Sequence, residues 1–196
     1  MEHLSQADAV LAGVIRKYGQ CTITPHKNYY QELVGSIISQ QLSVKAARSI
    51  LQKFLSLFGN TFPRPEQILD KSVEELRTAG LSNAKARYIQ DLALHVQDER
   101  LPLYTLNTLS NDEIIGELTA VKGIGEWTAH MFLLFAMGRL DILAHGDLGI
   151  KNGIHKLYGL SELPTPEVVK NLSAKNNWHP YESVACWYIW KSLDND

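Results

Sequence analysis

The chain has 196 residues, 45% of them hydrophobic and 20% charged, with a formal net charge of −2. That length holds one large domain or two small lobes, and the apolar share is ordinary for a packed core. No apolar run approaches the roughly 18 residues of a membrane span and no secretory leader pattern opens the chain, so an intracellular protein without membrane segments is expected.

Leu4, Ala7, Leu11, Val14, Ile15 and Tyr18 fall on one face, which predicts a first helix over residues 4–18, ended by Gly19. After a loop from Cys21 to Asn28, helical spacing resumes with Tyr30, Leu33, Val34, Ile37 and Ile38. Ser39-Gln40-Gln41-Leu42-Ser43 follows, and Ser43 is placed to cap a helix with the apolar face Ala46, Ala47, Ile50, Leu51, Phe54 and Phe58. As it stands, 39–43 is equally well a polar surface turn between two core helices. Pro65 suits the first turn of a short helix to Leu69. Ser72 with Glu75 is a capping box for the next, closed by Gly80, and Ser82 opens a helix with Ala86, Ile89, Leu92, Ala93 and Val96 inward. Lys85 and Arg87 read as a solvated basic face of that helix.

Ser110 with Glu113 opens another helix, carrying Ile114, Ile115, Leu118 and Val121. Gly123 and Gly125 then reverse the chain tightly, because glycine reaches positive φ at little cost. Trp127, Met131, Leu134 and Phe135 face one way on the helix that follows. The glycines expose backbone N–H groups at its start, an arrangement that attracts an anion such as a phosphate. Many helical hairpins turn on glycine without binding anything. Asp147 precedes a helix over 148–158, Thr165-Pro166 starts another, and W-H-P-Y-E-S-V-A-C-W-Y-I-W runs from Trp178 to Trp190. No segment alternates with period two, so the expected class is all-α. Two cysteines, Cys21 and Cys186, are too few to ligate an iron–sulfur cluster and imply no disulfide. His145, Asp147 and His155 imitate a two-histidine, one-carboxylate iron site, but that site belongs to a barrel of strands.

V-K-G-I-G-E-W-T-A at 121–129, followed by L-A-H-G-D-L-G-I at 143–150, resembles the helix-hairpin-helix, glycine-rich loop and aspartate of the DNA glycosylase superfamily. In that family the aspartate lies twenty residues beyond the position of Trp127, and 127 + 20 = 147. I-x-x-Q-Q-x-S-x-x-A-A at 37–47 and the final W-x-P-Y-x-S-x-A resemble its alkylbase, or 3-methyladenine DNA glycosylase II, branch. The likeness runs from about Tyr29 to Trp190.

The resemblance implies a two-lobed helical glycosylase fold with a central cleft, formed by residues 1–196 as one glycosylase domain with its hairpin at about 110–138. It implies a monofunctional hydrolase of base excision repair that flips alkylated purines (3-methyladenine, 7-methylguanine) out of double-stranded DNA and leaves an abasic site. Asp147 is the implied catalytic carboxylate, although an aspartate before a helix is also an ordinary N-cap. Gln40, Trp127, Met131 and Trp190 match base-pocket positions, with Tyr188 as a further aromatic, although aromatics in a last helix commonly belong to the core. Gln41 and Leu42 match residues that wedge into the duplex. Gly123, Gly125 and Thr128 match phosphate-binding positions, and A-G-L-S-N-A-K-A-R resembles a second, minor backbone-binding hairpin in which Lys85 and Arg87 approach phosphate. The carbonyls of Thr119, Val121 and Ile124 match those that hold a monovalent Na⁺ or K⁺ ion; no other cofactor is implied.

A monomer, DNA-associated in the cytoplasm of a bacterium or the nucleus of a eukaryote, is expected. The same fold acting on uracil, hypoxanthine or mismatched thymine, and a non-catalytic damaged-DNA-binding module, are the alternatives.

Overall fold

The computed structural model describes residues 1–26 and 28–194. Among the described residues there are twelve α-helices, a 3₁₀ turn, a π-helical turn and no strand. No helix is long and apolar enough to cross a membrane. The chain divides into two compact units, one formed by His26–Phe132 and the other by Met1–Pro25 with Leu133–Asp196.

In the His26–Phe132 unit, α3 (Tyr29–Ser39) buries Leu33, Val34, Ile37 and Ile38 at the predicted spacing. Ser43 caps α4 (Val44–Ser56) by accepting from Ala46 N. Pro65 opens α5 (Pro65–Leu69), the Ser72–Glu75 capping box opens α6 (Val73–Arg77), and Ser82 opens α7 (Asn83–Gln97). α7 is the spine of this unit, with α3, α5 and α6 packed on it. The Ser110–Glu113 capping box starts α8 (Asn111–Thr119), which turns through residues 120–125 into α9 (Glu126–Met131).

In the other unit the expected single helix over 4–18 is two, α1 (Glu2–Ala7) and α2 (Ala9–Tyr18). Asp8 breaks it. Its backbone is extended (φ −137°, ψ 106°) and its Oδ1 accepts from Val10 N and Leu11 N, capping α2. Its Oδ2 accepts from Tyr158 Oη and Trp178 Nε1. Hydrophobic spacing runs straight through this break, because the break is held by partners 150 and 170 residues away. Beyond α9 the helix widens into a π turn, Phe132–Met137. α10 (Leu148–Leu157), α11 (Pro166–Lys175) and α12 (Glu182–Lys191) complete the unit, with α12 packed on α2 and α10.

Candidate active site

The loop 138–146 delivers the chain to Asp147, the N-cap of α10. Its Oδ1 accepts from Ile150 N at 2.8 Å and from Trp190 Nε1 at 2.8 Å. Two donors on one oxygen fix the rotation of the carboxylate. The cap and the candidate catalyst are thus the same atom group. The Trp190 ring, half-buried, stacks on Phe135 with centroids 5.7 Å apart at 28°. Phe135 belongs to the π turn, so the widened turn presents it to α12.

Two glycines let α10 and α12 approach this closely. A Cβ on Gly149 would lie 3.0 Å from Trp190 Cδ1, 3.1 Å from its Nε1 and 3.0 Å from Asp147 Oδ1. A Cβ on Gly153 would lie 2.4 Å from Ile189 Cγ2 and 3.1 Å from Ile189 O. Glycine inside a helix costs about 1 kcal/mol relative to alanine, so the pair makes α10 intrinsically weaker by about 2 kcal/mol. Neither residue was predicted as a site residue. Their spacing of four, on one helix face, is a visible signal, but its meaning depends on a partner helix.

The α8–α9 hairpin is held from three sides within its own unit. Asp91 Oδ2 accepts from Lys122 N at 2.8 Å, and Gln40 Nε2 donates to Gly123 O at 2.8 Å. At Gly123 φ is +88°, and a Cβ there would lie 2.2 Å from Tyr88 Cδ2. Gly125 differs from expectation. Its φ is −98°, and a Cβ there would meet nothing within 4 Å, so neither torsion nor packing inside the protein requires glycine. The N–H groups of Gly123 and Gly125 donate to no partner among the described residues. Thr128 is 7% exposed. The carbonyls of Thr119 and Ile124 accept no hydrogen bond among the described residues, and that of Val121 accepts only from Ile124 N, so all three retain lone pairs for a cation.

Gln40 therefore lies against the hairpin. Its carbonyl accepts from Lys85 Nζ at 2.6 Å, and the same ammonium reaches Ile38 O at 2.8 Å. Lys85 closes the C-terminus of α3 rather than standing free on a solvated face, and desolvation lowers its pKa. Arg87 Nε donates to Asn83 Oδ1. Leu42 N donates to Ser39 O at 3.1 Å, closing a turn with Gln40 at φ −47°, ψ 128° and Gln41 at φ 56°. That is a type II turn whose third position normally takes glycine, so Gln41 is held in a strained conformation. Gln41 and Leu42 are both exposed. Trp127 is 51% exposed and Met131 half-buried. Tyr188 departs from its expected role. It is fully buried, and its hydroxyl donates to Gly19 O, so it is core and offers no ring face to a ligand.

Residues 34–178 match the family of HhH-GPD superfamily base excision DNA repair proteins. The alkylbase DNA glycosidase-like protein mag2 of Schizosaccharomyces pombe is 34% identical over 195 residues, covering 97% of this chain and 91% of the relative. DNA-3-methyladenine glycosylase 1 of the same yeast is 38% identical over 168 residues, covering 85% of this chain and 73% of the relative. The crystal structure of a DNA-3-methyladenine glycosidase from Bacillus halodurans superposes with a TM-score of 0.90 at 39% identity, covering 99% of this chain and 88% of that one. With three quarters of its length inside the family match and this fold, the chain belongs to the HhH-GPD superfamily of base excision DNA repair proteins.

Proposed function

We propose that this protein is a monofunctional glycosylase that hydrolyses the N-glycosidic bond of 3-methyladenine and 7-methylguanine extruded from double-stranded DNA. The observation that carries this is Asp147, an oriented carboxylate held by Ile150 N and Trp190 Nε1 at the family's aspartate spacing. Breaking the bond between C1′ and the base nitrogen builds positive charge on the sugar. A fixed carboxylate stabilises that charge, water adds to C1′, and the base leaves with the bonding pair. A methylated purine already carries positive charge and departs readily, and electron-rich ring faces such as those of Trp127 and Trp190 attract it. Gln40 and Met131 would complete the contacts to the base, and Gln41 or Leu42 would fill the gap it leaves in the duplex.

Gly123, Gly125 and Thr128 would receive a DNA phosphate. The carbonyls of Thr119, Val121 and Ile124 would hold a Na⁺ or K⁺ ion, whose charge would help to anchor that phosphate. Where the family's strand-cleaving members carry a lysine this chain has Trp127, which has no amine to attack the sugar, so the strand stays intact.

Methylated duplex DNA incubated with the protein should release 7-methylguanine and 3-methyladenine, identified by chromatography, with strands that break only on heating in alkali. Release of uracil or hypoxanthine alone would reassign the lesion. Asp147→Asn keeps a good N-cap and removes the charge. Single-turnover excision should fall roughly 100- to 1,000-fold, with melting temperature and DNA affinity retained. Excision at the wild-type rate would reduce Asp147 to a cap.

A further inference from the structure

We propose that Trp190 is a positioning residue that acts through Asp147, and that Gly149 and Gly153 are the clearance that lets it do so; this rests on Asp147 being the catalytic carboxylate. The Trp190 indole N–H reaches Asp147 Oδ1 at 2.8 Å across 43 residues of sequence. The same oxygen takes Ile150 N, so one donor comes from Asp147's own helix and the other from α12. A backbone cap alone tolerates rotation of the carboxylate about its Cβ–Cγ bond. A second donor from a different helix removes that freedom.

The second donor arrives only because α10 has no side chain at 149 or 153. At 149 the first atom of a side chain would sit within 3.1 Å of both the indole and the carboxylate oxygen. At 153 it would meet Ile189, the neighbour of Trp190, at side chain and backbone alike. Gly149 does not take a positive φ, so its absence of a side chain serves space and not torsion. Phe135 stacks on the same ring, centroids 5.7 Å apart, and fixes its plane, which aims the N–H. Trp190 thus needs its nitrogen, and not only its ring area, for the reaction.

The test is a double-mutant cycle between Gly149→Ala and Trp190→Phe, read by single-turnover excision, DNA affinity, melting temperature and the indole N–H resonances. Trp190→Phe keeps the ring face and deletes the donor, and also identifies the Trp190 resonance by its loss. Removing a hydrogen bond to a charged group corresponds to a rate loss of roughly 10- to 100-fold, with DNA affinity unchanged. Gly149→Ala gains helix propensity and loses the indole contact, two opposed effects, so it should stay folded with a melting temperature within several degrees of wild type while excision falls and the Trp190 N–H resonance moves. The double variant should be no slower than Trp190→Phe alone, because both changes remove one contact. Rate losses that multiply, or a Trp190→Phe variant as fast as wild type, would overturn the proposal and leave Trp190 as a ring surface. The Trp190 N–H resonance in Asp147→Asn reads the clamp independently of catalysis. If it moves while the wild type excises nothing, the glycosylase reading fails and the clamp stands.

Discussion

At Gly123 the backbone takes φ +88° and Tyr88 occupies the space of a Cβ, whereas at Gly125 φ is −98° and that space is open. Two glycines that look equivalent in sequence therefore answer to different constraints. Gly123→Ala meets both strain and collision, and should lower stability by more than about 1 kcal/mol. Gly125→Ala has no such cost inside the protein. If Gly125 is glycine so that a phosphate can approach, its alanine variant should melt within a few degrees of wild type yet bind duplex DNA more weakly. Denaturation curves and salt-dependent binding isotherms separate the two. Undiminished affinity in Gly125→Ala would remove the phosphate assignment.

The residues that carry the candidate site divide in the same way. The cap at Asp147 and the reversal at Gly123 have a signal in the sequence because their spacing is set within forty residues, whereas Gly125 does not need the positive φ expected of it. Asp91 holding Lys122 N, Lys85 closing α3, and Gly149 clearing the path of Trp190 have no such signal, because each is defined by a partner on another helix.

Among the elements, those whose ends are fixed by local chemistry matched expectation. Ser72–Glu75, Ser110–Glu113, Ser43, Ser82 and Thr165 all act as the caps their positions announce. The π turn after α9 did not announce itself, since a single widened turn leaves the apolar spacing nearly unchanged.

The α6 capping box also has a pH signature. Glu75 accepts from Ser72 N at 2.8 Å and pairs with Lys71 Nζ at 2.9 Å, and these contacts, the backbone bond first, lower its pKa to about 2. A carboxylate whose folded pKa lies below its unfolded value stabilises the fold above the unfolded pKa and loses that contribution as pH falls through the folded one. The window here is from about 4.5 down to about 2. Glu75→Gln should therefore melt below wild type at pH 6, and the two should converge towards pH 2. A gap that stays constant across that range would show that the charge contributes nothing. Since Glu75 is exposed, the gap should also shrink with added salt.

For the whole molecule, the question is what closes a unit built from both ends of the chain. The Met1–Pro25 and Leu133–Asp196 segments share a core in which Asp8 is 2% exposed and Trp178 fully buried. Asp8 Oδ1 caps α2, while Oδ2 receives the Tyr158 hydroxyl and the Trp178 indole. Burial, and then the bond to Asp8, raise the Tyr158 pKa, so the phenol stays a donor. Asp8→Ala removes the cap and leaves two interior donors unmatched. At roughly 1 kcal/mol for the cap and about 1–3 kcal/mol for each of the two orphaned groups, the loss is about 3–7 kcal/mol, a large fraction of the roughly 5–15 kcal/mol that holds a domain.

Asp8→Asn separates the two halves. Asparagine caps as well as aspartate, but it has one acceptor oxygen, so a cap made by that oxygen turns the amide NH₂ towards the indole and phenol. Its loss should be smaller than that of alanine by the roughly 1 kcal/mol of the cap, measured by urea denaturation of both variants. An Asn variant as stable as wild type would mean that the long-range bonds add nothing and that Asp8 only starts a helix. A loss as large as that of alanine would assign the whole effect to closure of the unit. Excision measured well below the melting transition should persist in Asp8→Asn, because Asp147 and Trp190 take none of their hydrogen bonds from Asp8.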